Sequence, residues 1–215
     1  MSTTTEINPQ LVKQLREKTN AGMMDCKRAL AESGGDLEKA EAALRTKGIA
    51  SAGKKSSRTA KEGIVASYIH LQGKVGVLVE VNCETDFVAK NEIFRDFVKD
   101  ITLHIAAAHP LYVSREEVPE KTVASERSIY EGQVKGKPDN VVEKIVSGKL
   151  DKFYSTVCLL EQGFIKNPDQ TIKDLIATKI AELGENIVIR RFTRYSVGEA
   201  LGGAVSVPAE AEAAA

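Results

Sequence analysis

A chain of 215 residues, 42% apolar, is long enough for one medium domain or a small one plus a larger one, and too apolar for wholesale disorder. Aromatics make up only 5% and Trp is absent, so aliphatic side chains must fill the core. Lys+Arg 30 cancels Asp+Glu 30, which argues against a bulk polyanion binder.

The first predicted element is a helix opened by Asn8-Pro9, with Asn as cap and Pro at the first helical position. Leu11, Val12 and Leu15 share one of its faces, and Thr19-Asn20-Ala21-Gly22 breaks it. A second helix begins near Met23 or Met24, carries Ala29 and Leu30, and stops at Gly34-Gly35. Asp36 caps a third, in which Leu37, Ala40 and Leu44 recur at helical spacing and Gly48 is the expected terminator. Residues 1–48 therefore read as a compact three-helix bundle, marginal in stability, whose simplest use is docking. Residues 49–62 hold Lys54, Lys55, Arg58 and Lys61 among Ser, Ala and Gly and read as a basic linker, in part helical.

An α+β core is expected over residues 63–199. Residues 64–71 and 75–82 are rich in β-branched side chains and flank Gln72-Gly73-Lys74, the pattern of a hairpin. Asn91 then caps a helix that lines up Phe94, Val98, Ile101 and Ile105 on one face, broadened by Ile93 and Phe97, and ends at His109-Pro110. Ser114 and Glu117 have capping-box spacing before a shorter helical region. Residues 123–133 read as helix, and Pro138 opens another that carries Val141, Val142, Ile145 and Val146. Residues 171–183 form a helix stopped by Gly184, and 186–196 alternate as a strand. Three strands make a small antiparallel sheet with an exposed face and edges, and a second copy of the chain is the simplest cover. The tail, 200–215, is Ala/Glu-rich and expected to be disordered.

Little in the chain announces covalent chemistry. Gly48-Ile-Ala-Ser-Ala-Gly53-Lys54 matches most of a phosphate-binding loop, but Lys55 stands where a hydroxyl should hold Mg²⁺, and a helix rather than a strand precedes it. Cys26, Cys83 and Cys158 are far apart with no CxxC pair, which points to buried small side chains and a reducing cytoplasm rather than disulfides or zinc. His70, His104 and His109 belong to no metal-ligand cluster. The start, MSTTTEINPQ, has neither the basic nor the apolar stretch of a signal peptide, and no apolar run approaches the ~18 residues of a membrane span. A binding protein is expected, not an enzyme.

Two segments carry side chains that a core does not obviously need. Met23 and Met24 are ~100° apart on a helix, so both cannot face one bundle core. One fills a gap in a small core, or both serve an adaptable surface. In VNCETDFVAKNE (81–92), Phe87 sits at a strand-to-helix corner where polar residues are the rule. It either closes the core or marks an interface.

The stretches LVKQLREKTNAGMMDCKRAL, EVNCETDFVAKN, HIAAAHP and LGENIVIRRF resemble the elongation factor Ts family over about residues 11–199. The resemblance implies an N-terminal module of ubiquitin-associated type followed by a core of antiparallel sheet and helices. It also implies guanine-nucleotide exchange on elongation factor Tu. Leu15, Met23 and Met24 would dock on the partner's GTPase domain, and His104 would belong to a second contact. Thr85, Asp86, Phe87 and Val88 would insert near the partner's nucleotide and help dislodge Mg²⁺. GDP and Mg²⁺ would be bound by the partner, so the chain itself needs no cofactor or metal. The single core copy suggests the short form of the family, a homodimer in a 2:2 complex, with no direct nucleic acid and no membrane. The alternative is a translation-associated RNA-binding protein using Lys54, Lys55, Arg58, Arg190, Arg191 and Arg194. Its arginines alternate across a strand rather than forming one stripe, so pairing with acids competes with that use.

Overall fold

The computed structural model describes residues 7–199 apart from Asn20, Lys135 and Lys137, without the side chains of Ile49 and Ser51. The Ala/Glu-rich tail expected over 200–215 lies outside the described residues. The fold is α+β: N-terminal helices, then small antiparallel sheets with further helices. Among the described residues, contacts divide the chain into two compact units, each assembled from three stretches: 7–64, 82–97 and 174–188 in one, and 65–81, 98–173 and 189–199 in the other.

The first unit opens with the three-helix bundle: α1 (Pro9–Thr19), α2 (Met23–Glu32) and α3 (Leu37–Lys55). Val12, Leu15, Cys26, Ala29, Leu30 and Ala40 form its core, edged by Ile7, Leu11, Leu37 and Leu44. Asp36 caps α3 by accepting from the amides of Glu38 and Lys39 at 3.0 and 3.1 Å. Gly48 does not end that helix. α3 continues through it to Lys55, so the first half of the expected basic linker is the last two turns of a helix. The physical reason lies far off in sequence. A Cβ at position 48 would stand 3.3 Å from Cβ of Ala181, so this glycine permits a close approach between helices instead of a stop. The phosphate-loop reading fails with it, because residues 48–55 are helix and not loop.

β1 (Glu62–His70) and β2 (Val75–Cys83) form the expected hairpin and β5 (Val188–Ser196) joins β2, in the order β1-β2-β5. The hairpin turn places Leu71, Gln72 and Gly73 all at positive φ. Val197 N donates to Lys74 O while Arg191 reaches Glu80, so β5 runs antiparallel to β2. Val75, Val77, Val79, Val81 and Cys83 are buried on β2, an alternation that breaks only at its end, where Asn82 is buried too. Val65, Ile69, Leu71, Leu78, Tyr195 and Val197 are exposed on the three strands and their ends.

A short helix α4 (Asp86–Lys90) follows β2 directly, and α5 (Glu92–Ala108) comes next with Phe94, Phe97, Val98, Ile101 and Ile105 buried, as its spacing predicts, while Ile93, expected to broaden that face, is exposed. Asn91 caps α5 by accepting from the Ile93 amide at 2.8 Å. The expected capping box at Ser114 is not made. Residues Arg115–Glu117 form one 3-10 turn, and Glu117 accepts instead from the Val113 amide at 2.9 Å. α6 (Glu120–Gln133) and α7 (Asp139–Val157) match the helices expected there. A second, two-stranded sheet, β3 (Gly163–Phe164) with β4 (Asn167–Thr171), was not predicted. α8 (Ile172–Leu183) ends at Gly184, whose φ of 81° suits a glycine stop.

Candidate functional site

The strand-to-helix corner belongs to the first unit, and its local order follows from Thr85. Its backbone is extended, and its hydroxyl accepts from the Val88 amide at 3.4 Å as the N-cap of α4. That same hydroxyl donates to Glu185 Oε1 at 2.6 Å. Glu185 Oε2 accepts from both the Glu84 and Thr85 amides, each at 3.0 Å. The arrangement is reciprocal, since Glu84 Oε1 accepts from the Asn186 amide at 2.7 Å and meets Arg58 at 3.6 Å. Bonds to a carboxylate contribute about 1.5–3 kcal/mol apiece when shielded. Even discounted for partial exposure, three of them outweigh the ~2 kcal/mol that ordering one glutamate costs. The corner is therefore held from below, with Ala89 buried and Asp86, Phe87 and Lys90 facing outward.

Phe87 is 81% exposed. Leaving it in water forgoes about 1.5–3 kcal/mol of burial, and no core is closed by it. The core-closing reading of this ring is excluded. Val88 is half-buried. Asp86 Oδ2 accepts from Lys90 at 2.6 Å, and that bond holds its carboxyl below the usual aspartate value.

The second exposed apolar corner is at the start of α2, also in the first unit. Met23 and Met24 are 51% and 73% exposed, so neither fills the bundle core. Gly22 caps α2 without a side-chain bond. The first turn gains its negative charge from Asp25, which accepts from Lys47 on α3 at 2.7 Å and from Arg28.

With this geometry in place, the chain can be set beside known proteins. Residues 10–199 match the family model described as Elongation factor TS. The chain belongs to the elongation factor Ts family. It is 60% identical over 197 residues to elongation factor Ts of Carboxydothermus hydrogenoformans, covering 91% of each chain. The protein of the same name from Thermodesulfovibrio yellowstonii is 58% identical over 90% of this chain and 97% of its own. That from Caldanaerobacter subterraneus is 57% identical over 91% and 98%. The fold class and the family resemblance read from the sequence are both correct, and the protein is a translation elongation factor by family.

Among the residues expected to form the site, Thr85, Asp86, Phe87 and Val88 stand together at one corner, and Met23 and Met24 at another. Two do not lie on a surface. Leu15 is fully buried in the bundle core, so it supports α2 from within and touches nothing outside. His104 is 1% exposed, its Nε2 3.0 Å from Gln162 Oε1 and its Nδ1 accepting from the Ile165 amide at 3.2 Å. Burial lowers its pKa, which keeps the ring neutral in these two bonds. It is a structural histidine of the second unit.

The three cysteines are free and buried, and burial pushes the thiols of Cys83 and Cys158 up to about 11, which makes both inert at neutral pH. No group of His, Cys, Asp or Glu among the described residues could hold a metal ion. No helix there is long and apolar enough to cross a membrane. Glu185 and Asn186, whose bonds brace the corner, escaped the sequence reading. Their only signal was their place inside LGENIVIRRF, next to the Gly184 helix stop.

Proposed function

We propose that this chain is the guanine-nucleotide exchange factor for elongation factor Tu and acts without covalent chemistry. The observation that carries the reading is Phe87: a stiff ring, 81% exposed, on a single helical turn that is bonded down by Glu185. Met23 and Met24, on a bundle of ubiquitin-associated type, supply an adaptable apolar pad for the partner's GTPase domain. Phe87 then wedges beside the partner's nucleotide, with Thr85, Asp86 and Val88 shaping the approach. Mg²⁺ demands near-octahedral oxygen ligands at about 2.0–2.1 Å, so a small displacement of partner groups by the ring breaks its coordination. GDP is then held by fewer contacts and leaves. By linkage, the factor binds nucleotide-free partner more tightly than the GDP complex, and GDP weakens its binding by the same factor. The chain needs no cofactor of its own and works in the cytoplasm.

The apolar side chains exposed on the three-stranded sheet, Val65, Ile69, Leu78 and Tyr195 among them, support pairing of two copies and a 2:2 complex. The RNA-binding alternative is not favoured. Arg190 and Arg191 both lie against Glu80, at 3.7 and 2.7 Å, Arg194 donates to Ala106 O at 3.3 Å, and Arg58 meets Glu84.

Release of a fluorescent GDP from elongation factor Tu, followed by stopped flow, tests the reading. Acceleration that saturates with factor concentration is expected. An unchanged release rate at micromolar factor overturns it. Sedimentation of the chain alone and with elongation factor Tu tests the pairing, with twice the monomer mass expected for the free chain.

A further inference from the structure

Phe87 and the two methionines sit on separate elements of the first unit, and a continuous path of bonds joins them. Asp25, next to Met24, is held by Lys47 of α3. Further along α3, Arg45 lies 3.6 Å from Asp174, Gly48 packs against Ala181, and Lys55 Nζ donates to Ile180 O at 3.4 Å, all on α8. Just past the end of α3, Ser56 O and Arg58 O both accept from Asn186 Nδ2, at 3.3 and 2.8 Å. Asn186 is buried, and its own amide is bonded to Glu84. Its neighbour Glu185 holds the Glu84 and Thr85 amides and the Thr85 hydroxyl.

We infer that Glu185 and Asn186 are positioning residues for exchange: Glu185 fixes the attitude of the Phe87 turn, and Asn186 splices that turn to the end of the docking helix α3. The inference rests on the exchange reading above and adds how docking is converted into displacement. A five-residue helix cannot hold itself together in water, where helices shorter than ~12–15 residues are marginal. Without outside bonds α4 would fray, and the ring would swing aside when it met resistance. Binding energy gathered at Met23 and Met24 drives Phe87 into the partner only if the two are rigidly connected. The Glu185–Asn186 dipeptide is where that connection closes. Among the described residues, the other bonds fixing α4 from outside its own turns are that of Cys83 Sγ, which donates to Thr85 O at 3.2 Å, and those of the α5 junction, where the Asn91 amide donates to Val88 O and Arg95 Nε reaches Ala89 O at 3.5 Å. The junction holds the end of the turn, while its start is held by the three bonds to the Glu185 carboxylate and one weak thiol bond.

The test measures two quantities on elongation factor Tu loaded with fluorescent GDP: the maximal release rate at saturating factor, and the factor concentration that gives half of it. Wild type, E185A, E185Q and F87A are compared, with the active fraction of each preparation fixed by titration against nucleotide-free partner. E185A is expected to lower the maximal rate about tenfold, within the range for a group displaced by about an ångström. Its half-saturating concentration is expected to move less than about twofold, since the methionine pad is intact. E185Q keeps one carbonyl oxygen for the two amides and exchanges the charged acceptor of the Thr85 hydroxyl for a neutral N–H that the hydroxyl can accept, so its rate should fall between those of wild type and E185A. A glutamate that merely stabilised the fold would lower the active fraction and leave the rate per active molecule unchanged. E185A and E185Q both at the wild-type rate, with F87A slowed, overturn the inference and leave the exchange reading standing. Should E185A fail to fold, E185L, which keeps the reach but accepts no bond, decides in its place, and equality with wild type overturns the inference. No acceleration by the wild-type chain overturns both.

Discussion

The two exposed apolar corners of the first unit are built on opposite plans. At the start of α2 the side chains are methionines, each with three rotatable bonds, and the cap is a glycine that makes no side-chain bond. At the start of α4 the side chain is a phenylalanine with two torsions, and the cap is a threonine whose hydroxyl is engaged on both sides. One corner can adapt its surface to a partner, while the other keeps its shape under load. On the proposed exchange reading, the difference separates two jobs that a single patch would do badly. Binding tightly asks for compliance, whereas displacing another protein's groups asks for stiffness.

The contrast breaks most visibly at Phe87. F87A should lower the maximal rate of GDP release about thirtyfold, the equivalent of the ~2 kcal/mol carried by an aromatic hot spot. Thermal stability should stay within about 0.5 kcal/mol of wild type, because an 81% exposed ring holds nothing in place. Stopped flow and a melting curve on the same sample check both. The double variant M23A/M24A should do the converse. Its half-saturating concentration should rise about tenfold, corresponding to ~1.4 kcal/mol of lost docking, and its maximal rate should stay near that of wild type. If both substitutions changed the same quantity, the division between pad and wedge would be wrong.

Much of this architecture was legible in the sequence, and what was not has physical reasons. The spacing of Phe94, Val98, Ile101 and Ile105 and the alternation on β2 are written in neighbouring letters, so α5 and the hairpin could be read directly. Gly48 could not, because the same letter serves a helix stop and a helix crossing, and only Ala181, distant in sequence, distinguishes them. β3 and β4 show neither β-branched runs nor alternation. Their pairing depends on Gly163, where a Cβ would come within 2.8 Å of Pro168 O. For the candidate site, the sequence singled out Met23, Met24 and Phe87 but left open whether each is exposed, and it held no sign of what braces them. Glu185 and Asn186 look like ordinary polar residues before a strand, and their partners lie about a hundred residues away. Leu15 lies on the apolar face that the sequence itself marks in the first helix, and only its docking role entered with the family resemblance; the burial of His104 could not be seen until the His104–Gln162 pair was in place.

A finer probe exchanges stiffness while keeping bulk. F87M retains an apolar side chain of similar reach but gains a rotatable bond, so its maximal rate should lie a fewfold below wild type and above F87A. M24L keeps apolar volume, a swap that costs under about 1.5 kcal/mol even in cores, and its half-saturating concentration should shift by less than that figure implies. Equal rates for F87M and wild type would show that bulk alone suffices at α4, and the rigid bracing by Glu185 would lose its purpose.

The smallest expected effect concerns acid. Each corner carries an aspartate in the first turn of its helix, and each aspartate sits below its ordinary pKa of 3.8. For Asp25 the first cause is the bond from Lys47, and for Asp86 the bond from Lys90. A carboxyl depressed in the folded chain favours folding while it is ionised, so its contribution is complete above 3.8 and disappears as pH falls through the depressed value. The two differ in what they join. Lys47 lies on another helix, 22 positions from Asp25, so protonating Asp25 loosens α2 from α3. Lys90 is four positions from Asp86 on the same short helix, and that pair is open to solvent, where such bridges are worth little. In melting curves taken from about pH 5 down to about pH 3, D25N should therefore remove more of the chain's acid sensitivity than D86N. Both differences should shrink near ~1 M salt. A larger loss in D86N would mean that the wedge depends on its own ion pair, and that the bracing from Glu185 is not what holds it.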